Sequence, residues 1–400
     1  MMTNAQKELI KATVPVLREN GVLLTSHFYK RMFSHNPELK HVFNMGNQQN
    51  NKQQTALAMA VLAYAEHIED PSVLLPVINS IGQKHTSLDI RPEHYQIVGN
   101  HLLAAIGEVL GEGATPDLLD AWEAAYAQLA RIMSGHEANI YRAQTAKKGG
   151  WTGWRPFVLK RREQESKEIT SFYLYPADGG PVADFTPGQY ISVRLFLPEI
   201  NLLQPRQYSL SAAPNGEFYR ISVKKEHGSN HPDGMISNRL HDVVKEGDII
   251  EASAPAGSFV LQPVPGKPVV FISGGVGQTP LISMLESLVK AGSPHPITWV
   301  HGCRNPEVHA FQKQVNEWVD QHEQLTQHLF YDHHAGEGTA HRGFVDLEKL
   351  SEEVLQHEAQ YYICGPSPFI RKHYTYLTEK GISRAAIYFE EFGPASLQLN

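Results

Sequence analysis

Residues 269–290 read VVFISGGVGQTPLISMLESLVK. A short apolar, β-branched run ends in Gly274, Gly275 and Gly277, and an amphipathic helical pattern begins directly behind them. Such a strand-to-helix turn suits a pyrophosphate. Glycines let the backbone come close to the anion, and the helix N-terminus offers amide donors and a favourable dipole. The same alternation continues outward. The strand pattern ITWVHG (297–302) precedes a helical stretch around Phe311 to His322, and Tyr361-Tyr362-Ile363-Cys364 precedes another near Phe369 to Glu379. Strands alternating with helices predict a parallel βαβ-type sheet from Lys267 onward.

Upstream the periodicity changes. Between Phe157 and about Val264 lie short β-like runs, SFYLY, GQYISVRLFL, RQYSL, YRISVK and DIIEA, parted by Asp178-Gly179-Gly180, Pro214-Asn215-Gly216 and Glu246-Gly247-Asp248. Turn residues at these intervals predict an antiparallel sheet or barrel. The first 143 residues show apolar residues at helical spacing, as in Leu74, Ile78 and Ile81 or Val98, Leu102 and Ile106. Pro37, Pro71, Pro92 and Pro116 punctuate them near expected helix starts or bends. The expected organisation is an all-α domain at 1–143, a linker or first strand at 144–154, an antiparallel β-barrel at 152–264 and an α/β parallel-sheet domain at 266–400.

Composition narrows the function. The 400 residues exceed what one core usually serves, and 42% hydrophobic with 19% charged residues is the profile of a soluble globular protein. A net charge of −7 with no basic block argues against a nucleic-acid partner. No apolar run of about 18 residues suggests a membrane span, and the first residues do not read as a signal peptide. The two cysteines, Cys303 and Cys364, are expected to be buried thiols in a reducing cytoplasm. Of the 21 histidines most must be surface or structural, and no role follows for His227 or the pair His333-His334.

Two further motifs accompany the glycine turn. Arg206-Gln207-Tyr208-Ser209 sits on a β-run, where alternation sends Arg206 and Tyr208 to one face. A flavin dinucleotide needs a cation for its pyrophosphate, an aromatic face and a small polar donor, and this strand supplies all three. Cys364-Gly365-Pro366 follows a later apolar strand, and Phe389-Glu390-Glu391-Phe392-Gly393-Pro394 lies near the end. In this order the motifs resemble the ferredoxin–NADP⁺ reductase superfamily over roughly residues 152–400. The resemblance implies that Tyr190 and Arg206 to Ser209 hold FAD, with Gly234-Met235-Ile236-Ser237 as a second phosphate turn. It implies that Gly275, Val276, Gly277, Gln278, Thr279 and Pro280 cradle the pyrophosphate of NAD(P)H, and that Phe392 covers the flavin ring. Cys364 to Pro366, Glu391, Gly393 and Pro394 complete the cofactor-binding set, and Glu390 helps set the flavin potential. Arg304, just past ITWVHGC, is placed either to meet a 2′-phosphate or to lie in solvent, so NADH against NADPH stays open.

In the helical part His85 continues the row Leu74, Ile78, Ile81 and so faces the interior. A lone histidine there is more often a hydrogen-bonded core residue than a ligand. Two other polar groups also break apolar faces: Tyr95 heads the row Val98, Leu102, Ile106, and Glu137 interrupts Ala130, Met133, Ile140. A buried glutamate is costly unless paired, and a His–Tyr–Glu cluster satisfies all three while fixing the tautomer of a metal-bound imidazole.

HFYKRMFSHNPELKHVFNM (27–45) and GQKHTSL (82–88) resemble the globin domain of bacterial flavohaemoglobins. The resemblance implies haem b with His85 as the proximal iron ligand, Tyr95 and Glu137 as its relay partners, and Tyr29 as the distal hydroxyl. It adds Gln53 and Leu57 to the distal pocket (Gln54 being an adjacent candidate), Phe43 packed on the haem, and Lys84 tuning the potential. The implied activity is nitric oxide dioxygenation in a cytoplasmic monomer, with O₂ and NO as its small-molecule partners and electrons passing from NAD(P)H through FAD to haem. Rival readings are a haem-based O₂ or NO sensor or store, and a plain NAD(P)H flavin reductase.

Overall fold

Prolines open most helices of the N-terminal part, since a residue at the first helical turn has no intrahelical N–H bond to lose. The computed structural model describes residues 2–49, 51–228, 234–333, 340–350, 354–356 and 358–393. Its helices are α1 (Asn4–Ala12), α2 (Val14–His35), α3 (Met45–Gln49), α4 (Lys52–Glu66), α5 (Leu75–Ser87), α6 (Pro92–Leu110) and α7 (Pro116–Ala146). Pro92 and Pro116 occupy the first positions of α6 and α7, and Pro37 and Pro71 start short 3₁₀ turns. Thr3 caps α1 reciprocally with Gln6, and the Thr115 hydroxyl accepts the Leu118 N–H at 3.2 Å. Ile10, Phe28, Met32, Ile68, Ala105 and Ile106 form the centre of this all-α core.

Helix α7 runs past the expected break at residue 143, to Ala146. Gln144 is buried and keeps the last turn packed, and the chain turns extended only at Lys147, ahead of Gly149 and Gly150. Residues 144–146, expected in a linker or first strand, thus belong to this helix.

Strands β1 (Arg155–Gln164), β2 (Ile169–Pro176), β3 (Tyr190–Leu197), β4 (Leu202–Ser209), β5 (Tyr219–Lys224) and β6 (Ile249–Ala252) form a sheet in the order β4-β3-β6-β1-β2-β5, antiparallel where β1 meets β2 and β6 and where β2 meets β5. Helix α8 (Met235–Asp242) lies between β5 and β6. A second sheet follows: β7 (Val269–Gly274), β8 (Ile297–Cys303), β9 (Leu325–Tyr331), the two-residue β10 (His341–Arg342), β11 (Gln360–Cys364) and β12 (Ile387–Glu390). Its order is β10-β9-β8-β7-β11-β12, and every pairing is parallel.

Helices cover both faces of this second sheet. Val269 and Phe271 of β7 pack with α9 (Gln278–Lys290) and α10 (Gln312–Gln321), while Val270 and Ile272 pack with the last helix, Ser367–Glu379. The strand order reverses between β7 and β11, so the carboxyl ends of these two strands form the switch-point crevice where such folds bind ligands. The chain divides into two units, Met1–Trp154 with Arg194–Arg206, and Arg155–Val193 with Gln207–Asn400. Among the described residues no helix is long and apolar enough to cross a membrane. Cys303 and Cys364 are buried free thiols.

Candidate functional site

Three polar side chains from three helices converge inside the helical unit. His85 lies in the last turn of α5, Tyr95 in the first turns of α6, and Glu137 in α7, only 2% exposed. The Glu137 Oε1 oxygen accepts from the Tyr95 hydroxyl at 2.5 Å and lies 2.7 Å from His85 Nδ1, which is itself 3.1 Å from the Tyr95 oxygen. Burial raises the Tyr95 phenol above its ordinary range, and the neighbouring Glu137 charge raises it further, so the phenol keeps its proton and donates. With Nδ1 donating to the carboxylate, the imidazole is fixed as the tautomer whose Nε2 carries a lone pair. Nε2 makes no hydrogen bond among the described residues.

A second polar group sits in an aromatic box. Tyr29 of α2 is buried, tilted against Phe28 at 4.8 Å between ring centroids, with Phe33 at 5.8 Å and the edge of Phe43 at 5.9 Å. Burial raises its phenol, and the Gln53 and Gln48 side chains beside the hydroxyl offset part of that. Gln53 was expected here. Gln48 was not, because the five-residue α3 that carries it has no periodic pattern to read. Gln54, the adjacent candidate, is buried and turns its amide Nε2 to the Gln48 carbonyl at 3.2 Å, leaving its Oε1 without a partner among the described residues. Leu57 is a partly buried member of the same apolar cluster as Phe43. Lys84, next to His85, has no ion-pair partner among the described residues, and burial lowers its pKa.

In the other unit the glycine-rich turn stands at the end of β7. Gly275 has φ +56°, a left-handed conformation natural to glycine, and Gly275–Gly277 make one 3₁₀ turn before α9. Gly277 lies so close to β11 that an added Cβ would meet the Cys364 carbonyl oxygen at 2.3 Å and Gly365 N at 2.8 Å. The turn and Cys364-Gly365-Pro366 therefore form the two lips of the switch-point crevice. Gln278 is buried just behind them, with neither amide atom partnered among the described residues. Thr279 and Pro280 are buried in the first turn of α9.

Glu390 ends β12, in register with Cys364. Its Oε2 is enclosed without a partner among the described residues, and burial pushes the carboxyl up to about 8. Glu391 accepts the Ser367 hydroxyl, Phe392 is 46% exposed, and Gly393 has a positive φ; Pro394 lies outside the described residues. Tyr190 begins β3 and bonds Ala256 through both backbone groups, at 2.8 and 2.9 Å. Arg206, Gln207, Tyr208 and Ser209 are consecutive in β4. Gly234 caps α8, so the segment from Gly234 to Ser237 is a helix N-terminus. Arg304 does not lie free in solvent; it forms an ion pair with Glu168.

The globin family pattern matches residues 26–133, and that of the oxidoreductase NAD-binding domain matches residues 271–374. The flavohemoprotein of Bordetella parapertussis is 50% identical to this chain over 98% of its length and 99% of the relative's. This chain belongs to the flavohemoprotein family. The Bacillus subtilis family member is 44% identical over 98% of each chain. The fold agrees. The flavohemoglobin of Malassezia yamatoensis, solved with bound FAD and heme, superposes with a TM-score of 0.87 at 27% identity, covering 98% of this chain and 99% of that one. The FAD/NAD-binding domain of a Vibrio cholerae nitric oxide dioxygenase matches at a TM-score of 0.57 and 36% identity, over 60% of this chain and 99% of that domain. The architecture is the family's: a helical globin domain, an antiparallel sheet domain and a parallel-sheet NAD-binding domain.

Proposed function

We propose that this chain is a nitric oxide dioxygenase, converting two NO and two O₂ to two nitrates for each NAD(P)H oxidised. Haem b would be held in residues 1–146, FAD in 152–264 and NAD(P)H in 266–400, with the stretch from Lys147 to Trp154 as the link. The observation that carries this reading is the His85–Glu137–Tyr95 cluster on the same chain as an oxidoreductase NAD-binding domain. Buried free thiols suit a cytoplasmic protein, and the reading is of a monomer.

The residues fit the groups. A haem iron needs a strong nitrogen donor and an apolar box, and His85 Nε2, its ring held by a fixed Nδ1–H, would be that donor. Tyr29, Phe43 and Leu57 would supply that box. The positive φ of Gly275, the tight Gly277 and the unpartnered Gln278 amide fit a pyrophosphate at the start of α9. When bound, the three groups supply a relay of electrons from reduced nicotinamide through flavin to iron, where O₂ is activated.

The protein's part is to hold protons and charge in place. Glu137 keeps the His85 Nδ1 proton engaged and gives the imidazole partial anionic character, which pushes electron density toward its Nε2 ligand position. Tyr95 fixes the carboxylate from the other side. Tyr29 keeps its proton because it is buried, and so offers an O–H donor to developing negative charge where water is scarce. Gln53 and Gln48 orient that hydroxyl. Glu390, whose carboxyl burial pushes up to about 8, holds a proton at the end of β12 at neutral pH, and Phe392 would be the aromatic lid for the flavin ring.

The test is anaerobic reduction of the purified protein with NADH or NADPH, followed by O₂ and NO, with nitrate measured against coenzyme consumed. Two nitrates per coenzyme are expected, and coenzyme oxidation without nitrate would sink the reading. Tyr29→Phe is expected to leave NAD(P)H-to-flavin reduction unchanged and to lower NO-dependent O₂ consumption by about tenfold or more, as for loss of one preorganised donor. Unchanged NO turnover in that variant would remove the role given to Tyr29. Glu137→Gln is expected to raise the reduction potential of the iron and lower the Fe–His stretching frequency, with turnover down severalfold. Both spectroscopic values at wild-type level would show that Glu137 exerts no push.

A further inference from the structure

The pairing of Arg304 bears on which coenzyme the chain takes. Arg304 immediately follows β8, the strand beside β7, and Gly302 is in register with Gly274 at the edge of the glycine-rich turn. In parallel folds of this kind the adenosine ribose lies over the end of that neighbouring strand. An acidic residue there binds the 2′-hydroxyl of NAD, and a free arginine there accommodates the 2′-phosphate of NADP. Arg304 is the cation at that position, but the structure does not leave it free. Its guanidinium bonds the carboxylate of Glu168, which comes from the turn between β1 and β2.

That turn is itself held firmly. The Lys167 N–H donates to the Glu307 carbonyl at 2.9 Å, and the Lys225 N–H donates to the Glu168 carbonyl at 2.8 Å. Glu165 N–H and Ser166 N–H both donate to Ile169, at 2.9 and 3.2 Å. Lys167 is also spent, on Glu307 at 2.7 Å. A further carboxylate, Asp332, stands near enough to interact with Arg304. Around the end of β8 the cations Arg304 and Lys167 thus face the carboxylates Glu168, Glu307 and Asp332.

We propose that the Glu168–Arg304 ion pair makes this enzyme select NADH over NADPH. The inference rests on the reading that Gly275 to Pro280 cradle the coenzyme. A 2′-phosphate reaching this corner meets a guanidinium already neutralised and an excess of carboxylates. A ribose 2′-hydroxyl can donate to the same carboxylates without displacing anything. Glu168 acts here as a positioning residue: it holds Arg304 and takes away its free charge. The pair is partly exposed, with side chains 52% and 29% accessible, so its replacement does not threaten the fold.

The test uses the full-length holoenzyme and two probes, 5′-AMP and 2′,5′-ADP, titrated calorimetrically alongside steady-state kinetics with both coenzymes. In the wild type 5′-AMP is expected to bind more tightly than 2′,5′-ADP, and kcat/KM to favour NADH by about tenfold or more. Glu168→Gln is expected to tighten 2′,5′-ADP and to lower KM for NADPH, each by about tenfold, at unchanged kcat. Glu168→Asp is expected to keep the wild-type pattern, and adding Arg304→Gln to Glu168→Gln to cancel the gain. Gly277→Ala serves as the control on the cradle and is expected to weaken both probes alike. If it does so while Glu168→Gln shifts neither probe, the ion-pair proposal is overturned and the cradle stands. If Gly277→Ala leaves both probes bound as in the wild type, the cradle reading fails, and the proposal with it.

Discussion

His85→Ala is expected to purify without a Soret band while keeping NAD(P)H-driven flavin reduction. Loss of the group hydrogen-bonded to a metal-bound histidine already costs about 10–100-fold in metal affinity, so loss of the ligand itself must cost more. His85 is the imidazole whose Nδ1 is committed to Glu137, at 2.7 Å, leaving Nε2 for the iron. The substitution also strands Glu137, 2% exposed, with only the Tyr95 hydroxyl for a partner. An uncompensated buried charge costs about 3–5 kcal/mol, so the helical domain is expected to melt lower as well. Two additions separate ligation from folding. His85→Ala combined with Glu137→Gln removes the stranded charge, and millimolar imidazole in the buffer supplies the missing nitrogen. Recovery of a Soret band with imidazole, in the double variant as in the single, is the expected result. A Soret band at the wild-type ratio to flavin in untreated His85→Ala would mean that another residue holds the iron.

The convergence behind that prediction was legible because each member broke an apolar row at helical spacing. His85 follows Leu74, Ile78 and Ile81; Tyr95 precedes Val98 and Leu102; Glu137 interrupts Met133 and Ile140. A polar residue on such a face must find partners, and three of them on three helices can satisfy one another. Gln48 left no such trace. It stands in the polar run NQQNNKQQ, where every residue but Lys52 is an amide, and only the short turn of α3 brings it to Tyr29.

The strands show the same contrast. β7 and β11 are continuous apolar runs because both of their faces are covered, and such runs are easily read. β1 is central in its sheet, yet only Phe157 and Leu159 are buried along it, and the register slips between Leu159 and Arg161. Its outer half, Lys160 to Gln164, carries three basic residues and a glutamate, so alternation fails as a signal there. β9 is similarly masked by Gln327 and His328. Arg304 could be placed after its strand from the sequence, but not paired. Glu168 lies far away along the chain, and only the docking of the β1–β2 turn on the Glu307 carbonyl brings it near.

Gly277→Ala is expected to lower NAD(P)H-dependent flavin reduction by about a hundredfold, a large effect for a single methyl group. The reason is the backbone that faces it. A Cβ at 277 would lie 2.3 Å from the Cys364 oxygen, 2.6 Å from the Cys364 carbonyl carbon and 2.8 Å from Gly365 N, all main-chain atoms at the end of β11. A side chain in that place could swing aside, but this backbone is held in the sheet between β7 and β12. The start of α9 or the end of β11 must therefore move, and either shift opens the crevice that is to hold the pyrophosphate. Overpacking of this kind costs about 1–3 kcal/mol of stability, which the reductase part should survive. The lost rate comes instead from geometry, since misplacement by about 1 Å can cost a hundredfold in an oriented transfer. FAD content and the Soret band are expected to stay at wild-type levels, because neither the antiparallel sheet β1–β6 nor the helical unit contains the altered turn. A single turnover should then yield nitrate as in the wild type when the haem is reduced anaerobically with dithionite, the excess reductant is removed, and O₂ and NO are added afterwards. If Gly277→Ala reduces its flavin at the wild-type rate, the coenzyme does not lie across the β7–β11 crevice, and the assignment of Gly275 to Pro280 is wrong.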